Sequence, residues 1–254
     1  EKKEESIYFF KNHVIKFFND EKVLKNRVKR SKVLAHCTPK IVDNSKNFMK
    51  YRHVSGDILC KYEDLDDKLL YKLLKYANKC MWKNSKNIFN DQKINNLCKA
   101  FYVDKTKKRV DMFTSARNIQ DSVNIINGEK VKPVDQLLND ASEKGILSGV
   151  MGNFHGDFIL ENIIFDNERF TFIDWRQDFA GETVLGDVYY DLAKLNHNIN
   201  FNHAIVRSGG YRCQIGSNNS ISVDLMCSHK LLASKKGLIE FCKDNNFSMK
   251  KIEM

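Results

Sequence analysis
The sequence predicts an α+β fold in two parts, a small strand-rich part over residues 1–56 and a larger, mainly helical part over residues 57–254. Three features of the pattern point there. Short runs of β-branched and aromatic residues crowd the chain before Gly56. From Asp64 onward, apolar residues recur at three- and four-residue steps. After Gly149 the texture returns to short strands and turns. With 42% hydrophobic residues and two prolines in 254 residues, the chain can bury a substantial core, and disorder as a whole is excluded.

The elements follow in order. Residues 6–19 read as two strands turning near Lys11-Asn12. Asn19 or Asp20 caps a helix running to about His36, with Val23, Leu24, Val28, Val33 and Leu34 as its apolar side, and Pro39 closes that unit. Lys40 to Asp43 and Phe48 to Val54 form two further strands. Leu65, Leu69, Leu70, Leu73, Leu74 and Ala77 mark one buried helix face. Residues 92–118 keep helical spacing, residues 119–132 form a connecting loop, and a helix from Val134 to Lys144 follows Pro133. Ile163 to Phe165 and Phe170 to Ile173 flank a hairpin turn at Asp166-Asn167-Glu168-Arg169. Tyr189 to Asn196 is helical. A second hairpin turns over Gly216 to Ser220, and a last helix spans about His229 to Cys242.

Charge and cysteine usage narrow the function classes. The formal charge of +10 is compatible with nucleic acid, but Lys and Asn are abundant everywhere and the densest basic run, Lys22 to Lys32, lacks interleaved aromatics. Nucleic acid is therefore not the expected partner; a cleft for phosphorylated ligands uses the same charge. Seven cysteines without a Cys-x-x-Cys pair read as reduced thiols in a cytoplasmic protein. The charged Glu1 to Glu5 resembles neither signal nor transit peptide, and no apolar run suits a membrane span. No Gly-Lys dipeptide exists, which excludes a Walker A loop, and the seven histidines show no ligand spacing for a metal hydrolase.

The chemistry concentrates in His155-Gly156-Asp157-Phe158-Ile159-Leu160-Glu161-Asn162 and in Phe172-Ile173-Asp174-Trp175. Phosphoryl transfer needs a group that orients and deprotonates the attacking hydroxyl, and oxygen ligands that hold Mg²⁺ against the phosphates. Asp157 lies in a glycine-containing loop. Asn162 and Asp174 sit at the start and end of one tight hairpin, so both oxygen donors return to the same end, a set suited to Mg²⁺.

These residues resemble the catalytic and metal-binding loops of the aminoglycoside phosphotransferase and choline kinase family, which has a protein-kinase-like two-lobed fold. Gly186-Asp187-Val188-Tyr189-Tyr190-Asp191-Leu192-Ala193 resembles its Asp-Leu-Ala helix, in which Asp191 would buttress the catalytic loop. Val14-Ile15-Lys16-Phe17 resembles the strand bearing the phosphate-binding lysine, and Tyr51-Arg52-His53-Val54-Ser55-Gly56 resembles the adenine-binding hinge. In style the chain is similar to kinase-like proteins of bacterial surface-polysaccharide pathways. The resemblance implies Asp157 as catalytic base, Asn162 and Asp174 as Mg²⁺ ligands, Lys16 as phosphate anchor, Tyr51, Arg52 and His53 as nucleotide contacts, ATP as donor and a small-molecule hydroxyl as acceptor. Residues 1–56 become its N-lobe and residues 57–254 its C-lobe. Asp178, Glu182 and Asp187 are either acceptor contacts or solvated loop carboxylates.

Two departures favour the alternative of a nucleotide-binding pseudokinase. Residues 1–6 contain no glycine where a glycine-rich loop would cover the phosphates, unless Lys3-Glu4-Glu5-Ser6 replaces it. No acidic residue occurs between Lys22 and Val42, and Arg27 stands where the helix glutamate that pairs with the lysine is expected. Lys16 is thus expected either to be unpaired and less firmly positioned, with slow turnover, or to be held by a different residue.

Overall fold
A computed structural model describes residues 4–82, 88–122, 124–217 and 220–254. The N-terminal part is an antiparallel sheet of β1 (Glu5–Phe9), β2 (His13–Phe18), β3 (Ile41–Asn44) and β4 (Phe48–Arg52), ordered β1-β2-β4-β3, with α1 (Glu21–Val33) inserted between β2 and β3. Along β2 the two-residue period buries Val14, Lys16 and Phe18 and leaves His13, Ile15 and Phe17 half-buried. A lysine is thereby placed on the core face of a central strand. Asp20 caps α1, its carboxylate accepting from the N–H groups of Lys22 and Val23.

After β4 the chain continues with β5 (Asp57–Ile58) and α2 (Asp67–Cys80). Leu70, Leu73, Leu74 and Ala77 of α2 are fully buried, as their spacing predicts. Next come α3 (Asp91–Cys98), a π-helical stretch Lys99–Asp104, and α4 (Lys105–Arg117). Then follow β6 (Asn124–Ile126), β7 (Glu129–Val131), α5 (Val134–Glu143) and β8 (Met151–Gly152). The hairpin β9 (Ile163–Asp166) and β10 (Arg169–Phe172) forms a three-stranded sheet with β5, and β11 (Gly186–Asp187) pairs with β8. The chain ends in α6 (Val188–Asn200), α7 (His203–Arg207), β12 (Tyr211–Ile215), β13 (Ser220–Leu225), α8 (His229–Asp244) and α9 (Met249–Ile252). Among the described residues no helix is long and apolar enough to cross a membrane.

One hydrophobic cluster runs from Val14 and Phe18 in the sheet through α2 and the β9–β10 hairpin to α6, α8 and Ile252. A second, with Cys98, Phe101, Phe154, Phe179 and Leu185, ties α3 and the π-helical stretch to the loops around residue 154 and residue 179. Both clusters converge beneath residues 154–160.

Two expectations need correction. Residues 119–132 are not simply a loop: β6 and β7 form a hairpin on Asn127-Gly128, both at positive φ (51° and 85°), the conformation that this dipeptide favours. β6 then pairs in parallel with β13, giving a sheet ordered β12-β13-β6-β7. The second correction concerns α1, whose apolar side is weak. Leu24 is buried while Val23, Val28 and Val33 are only partly so, and the fully buried side chain of this helix is Arg30. Of the turn expected at Gly216 to Ser220, residues 218 and 219 lie outside the described residues.

Candidate phosphotransfer site
The loop at residues 155–162 is held from below by one carboxylate. Asp191, fully buried on α6, accepts from the backbone N–H groups of His155 and Gly156, each at 2.6 Å, and from Trp82 Nε1 at 2.8 Å. Burial pushes its pKa up to about 6, although these three donors and Arg30 favour the charged form. Gly156 has φ +87°, and a Cβ there would collide with the Arg176 side chain and the Phe154 ring. His155 is buried and bonds both arms of the site. Its Nε2 lies 2.8 Å from Ile173 O, and its Nδ1 accepts from Asp157 N at 3.2 Å. Burial lowers its pKa to about 4, against the pull of Asp157, so the ring is neutral.

Asp157 leaves this loop partly exposed. The buried Asn162 donates from Nδ2 to Asp157 O at 2.9 Å and to Asp157 Oδ2 at 3.2 Å. The β9–β10 hairpin brings the chain back, and Ile173 N bonds Asn162 O at 2.9 Å, which sets Asp174 beside Asn162. Asp174 adopts a left-handed backbone, φ 60°, and pairs with Lys16 Nζ. Burial alone would raise its pKa; the ammonium and its hydrogen bond outweigh that and hold the carboxyl below its ordinary value.

Besides Asp174, Lys16 has a second carboxylate near it, so a different residue does take the place of the helix glutamate. Glu5 Oε2 lies 3.5 Å from Lys16 Nζ, and Glu5 Oε1 lies 3.2 Å from Arg27 Nη2. Strand register explains the contact. Ile7 is opposite Lys16, so Glu5, two residues along β1, shares its face and is the diagonal neighbour of the lysine. The carboxylate expected on the helix is supplied by the strand, and the arginine standing in the helix position holds it.

A second arginine fastens α1 to the loops. Arg30 Nη2 donates to Phe154 O, and its Nη1 donates to Arg176 O and, at 3.4 Å, to His155 O. Its guanidinium lies 4.0 Å from the centre of the Phe154 ring. Trp175 Nε1 donates to Arg27 O at 2.9 Å.

The remaining expected residues fall differently. Tyr51 is buried on β4 opposite Val14; burial first, and the charge of Asp174 second, raise its hydroxyl pKa. Arg52 and His53 are exposed and line a cavity of about 380 Å³ with Thr38, Asp166 and Arg169, whose lining contains neither Lys16 nor Asp174. Asp187 is no free acceptor contact. It is fully buried, with Oδ1 accepting from Val150 N at 2.8 Å and Tyr189 N at 3.1 Å, and Oδ2 accepting from Tyr102 at 2.8 Å. Asp178 and Glu182 accept from Gly181 N and Val184 N within their own turns. Glu5, Arg30 and Lys194, whose Nζ is 2.9 Å from Asp157 Oδ1, were not legible as site residues in the sequence.

As metal donors, Asn162 and Asp174 offer an amide and a carboxylate oxygen. With Nδ2 of Asn162 turned to Asp157, its oxygen faces away from that carboxylate. Two hard oxygens fit Mg²⁺, which takes few protein ligands; among the described residues, no group of three or more His, Cys, Asp or Glu could hold a metal.

The family model for the phosphotransferase enzyme family (APH) matches residues 132–208. That segment contains Asp157, Asn162, Asp174 and Asp191. No curated protein matches the sequence. Among solved structures, the GDP complex of wild-type aminoglycoside 2'-phosphotransferase-IIIa is similar at 16% identity and TM-score 0.47, covering 76% of this chain and 69% of that one. Aminoglycoside-3'-phosphotransferase of type VIII is similar at 15% identity and TM-score 0.47, covering 90% and 85%. Choline kinase from Cryptosporidium parvum Iowa II is similar at 14% identity and TM-score 0.39, covering 77% and 63%.

Proposed function
We propose that this chain is an ATP-dependent phosphotransferase that moves the γ-phosphate to a hydroxyl of a small molecule. The observation that carries the reading is convergence. Asp157 with Asn162, and Asp174 with Lys16 and Glu5, are drawn together by one loop, one hairpin and one strand pair. Asp157 is the base that orients the acceptor hydroxyl and takes its proton. Asn162 and Asp174 would hold Mg²⁺, which when bound neutralises charge on the phosphates. Lys16, steadied by Glu5, contacts the α- and β-phosphates, and the chain around Tyr51, Arg52 and His53 receives the adenine. Residues 1–56 act as one lobe and residues 57–254 as the other, with ATP between them, in the cytoplasm. The pseudokinase alternative drew on the missing helix glutamate and the missing glycine-rich loop; the Glu5 contact supplies a carboxylate for the first and leaves the second in its favour.

Thermal stabilisation by ATP with Mg²⁺, followed by ADP release with candidate acceptors, tests the reading. Asp157→Asn is expected to keep nucleotide binding and lose turnover by roughly a hundredfold to ten-thousandfold. Asp174→Asn is expected to weaken binding of Mg²⁺-ATP itself. Equal effects of the two substitutions on binding and turnover would contradict these roles, and lack of any Mg²⁺-dependent ATP binding would end the proposal.

A further inference from the structure
The base sits in a cationic corner. Lys194, three residues after Asp191 on α6, places Nζ 2.9 Å from Asp157 Oδ1. Arg176, two residues after Asp174, packs its side-chain carbons against Gly156, next to Asp157. Its guanidinium carbon lies 5.0 Å from the centre of the Phe101 ring, and Lys105 Nζ lies 3.2 Å from the same centre. Lys105 opens α4 directly after the π-helical stretch, a distortion frequent at functional sites. Carboxylates offset these cations only in part: Asp157 pairs with Lys194, and Asp178, whose backbone carbonyl accepts from Arg176 Nε at 3.1 Å, acts on Lys105. Asp178 Oδ1 accepts from Gly181 N, and Glu182 accepts from Val184 N and faces Lys93 at 3.9 Å. Burial first, then Arg176 and Arg109, push the pKa of Lys105 down to about 7, with Asp178 opposing.

We infer that the acceptor is an anionic hydroxyl compound, its phosphate or carboxylate held by Lys105, Arg176 and Lys194 beside Asp157. The inference rests on the phosphotransferase reading and names the acceptor class for the same site. A cationic acceptor such as an aminoglycoside or amino alcohol would meet like charges there, whereas an anion pairs with the fork of Arg176 and keeps Lys105 protonated. An anion also draws Lys194 off Asp157, leaving the carboxylate to the hydroxyl. In the transfer, the acceptor oxygen bonds to the γ-phosphorus, the bond from that phosphorus to the β,γ-bridging oxygen breaks, the hydroxyl proton passes to Asp157, and ADP leaves.

The test uses the whole chain with Mg²⁺-ATP and sugars on one skeleton: glucose 6-phosphate, glucuronate, glucose and glucosamine, with kanamycin and choline as further cations. ADP release is expected to favour an anionic sugar by roughly tenfold or more in kcat/KM, the phosphate and carboxylate arms showing which group is read. Arg176→Gln and Lys105→Gln are expected to raise the acceptor KM about tenfold while the KM for ATP stays within about twofold. Calorimetric titration of glucose 6-phosphate and glucosamine with ADP and Mg²⁺ present reads the same preference without turnover. A preference for the cationic sugar, equal or absent binding of the two, or an unchanged preference in Arg176→Gln overturns the inference while leaving ADP release as evidence for a kinase. Anion-selective binding without ADP release from any acceptor would instead sink the phosphotransferase reading and leave the anion site standing.

Discussion
Glu5 and Arg27 have exchanged the sides on which charge is expected around Lys16: the carboxylate is on the strand and the cation on the helix. Electrostatically the lysine gains the same partner, because what positions an ammonium is a nearby carboxylate held in place, whatever element bears it. The contact is an ion pair at 3.5 Å, worth about 1 kcal/mol, so Glu5→Gln is expected to lower kcat/KM for ATP by roughly fivefold. Arg27→Glu in the Glu5→Gln background returns a carboxylate to the helix and is expected to recover most of that loss. Steady-state kinetics with ATP varied decide the matter: a Glu5→Gln protein with wild-type kcat/KM would show that Lys16 needs no such partner. The grouping of Asp157, Asn162 and Asp174 was legible because their loop and hairpin are local in sequence. Glu5 was not, since its contact with Lys16 depends on a strand register that only pairing of β1 with β2 determines.

At the scale of elements, α1 is fixed to the loops around residues 154–156 and 176 rather than merely packed on the sheet. Arg30 supplies donors to the carbonyls of Phe154, His155 and Arg176, and Trp175 returns a bond to Arg27 O. Removing the guanidinium leaves buried acceptors unpaired, so Arg30→Met is expected to cost about 3 kcal/mol, and Arg30→Lys nearly as much, because one ammonium cannot span carbonyls on two segments. For a chain of this size that is a fall in Tm of roughly 6–12 °C. Melting of either variant within about 2 °C of wild type would contradict the tether. The sequence concealed this role because Arg30 lies in Lys29-Arg30-Ser31-Lys32, where a buried cation looks like its solvated neighbours. By contrast, α2 was readable from its leucine stripe, all of whose central members are buried. The β6–β7 hairpin carries a readable Asn-Gly turn but only three residues per strand, too few for a period to register.

For the molecule as a whole, two buried groups at the loop of residues 155–162 shape how stability responds to acid. The two-part order of strands and helices was visible in the sequence, but not that one core joins both parts and converges on this loop, since that convergence depends on packing between distant segments. His155 falls from an ordinary value of 6.5 to about 4 on burial. The unfolded chain therefore takes up its proton first, and His155 stability is complete above pH 6.5 and lost as pH falls toward 4, a change of about 3 kcal/mol. Asp191 rises from 3.8 to about 6, so the folded chain binds its proton first, and acidification from pH 6 to 4 returns about 3 kcal/mol. Over that window the two contributions nearly cancel. Breaking the balance from either side should expose it, whatever uniform cost each substitution carries. Asp191→Asn is expected to lose stability more steeply than wild type between pH 6.5 and 4, and His155→Gln is expected to lose less or to gain. Urea unfolding at pH 4, 5 and 6.5 measures the three slopes; if both variants run parallel to wild type, neither group titrates with the fold and the loop is held by its hydrogen bonds alone.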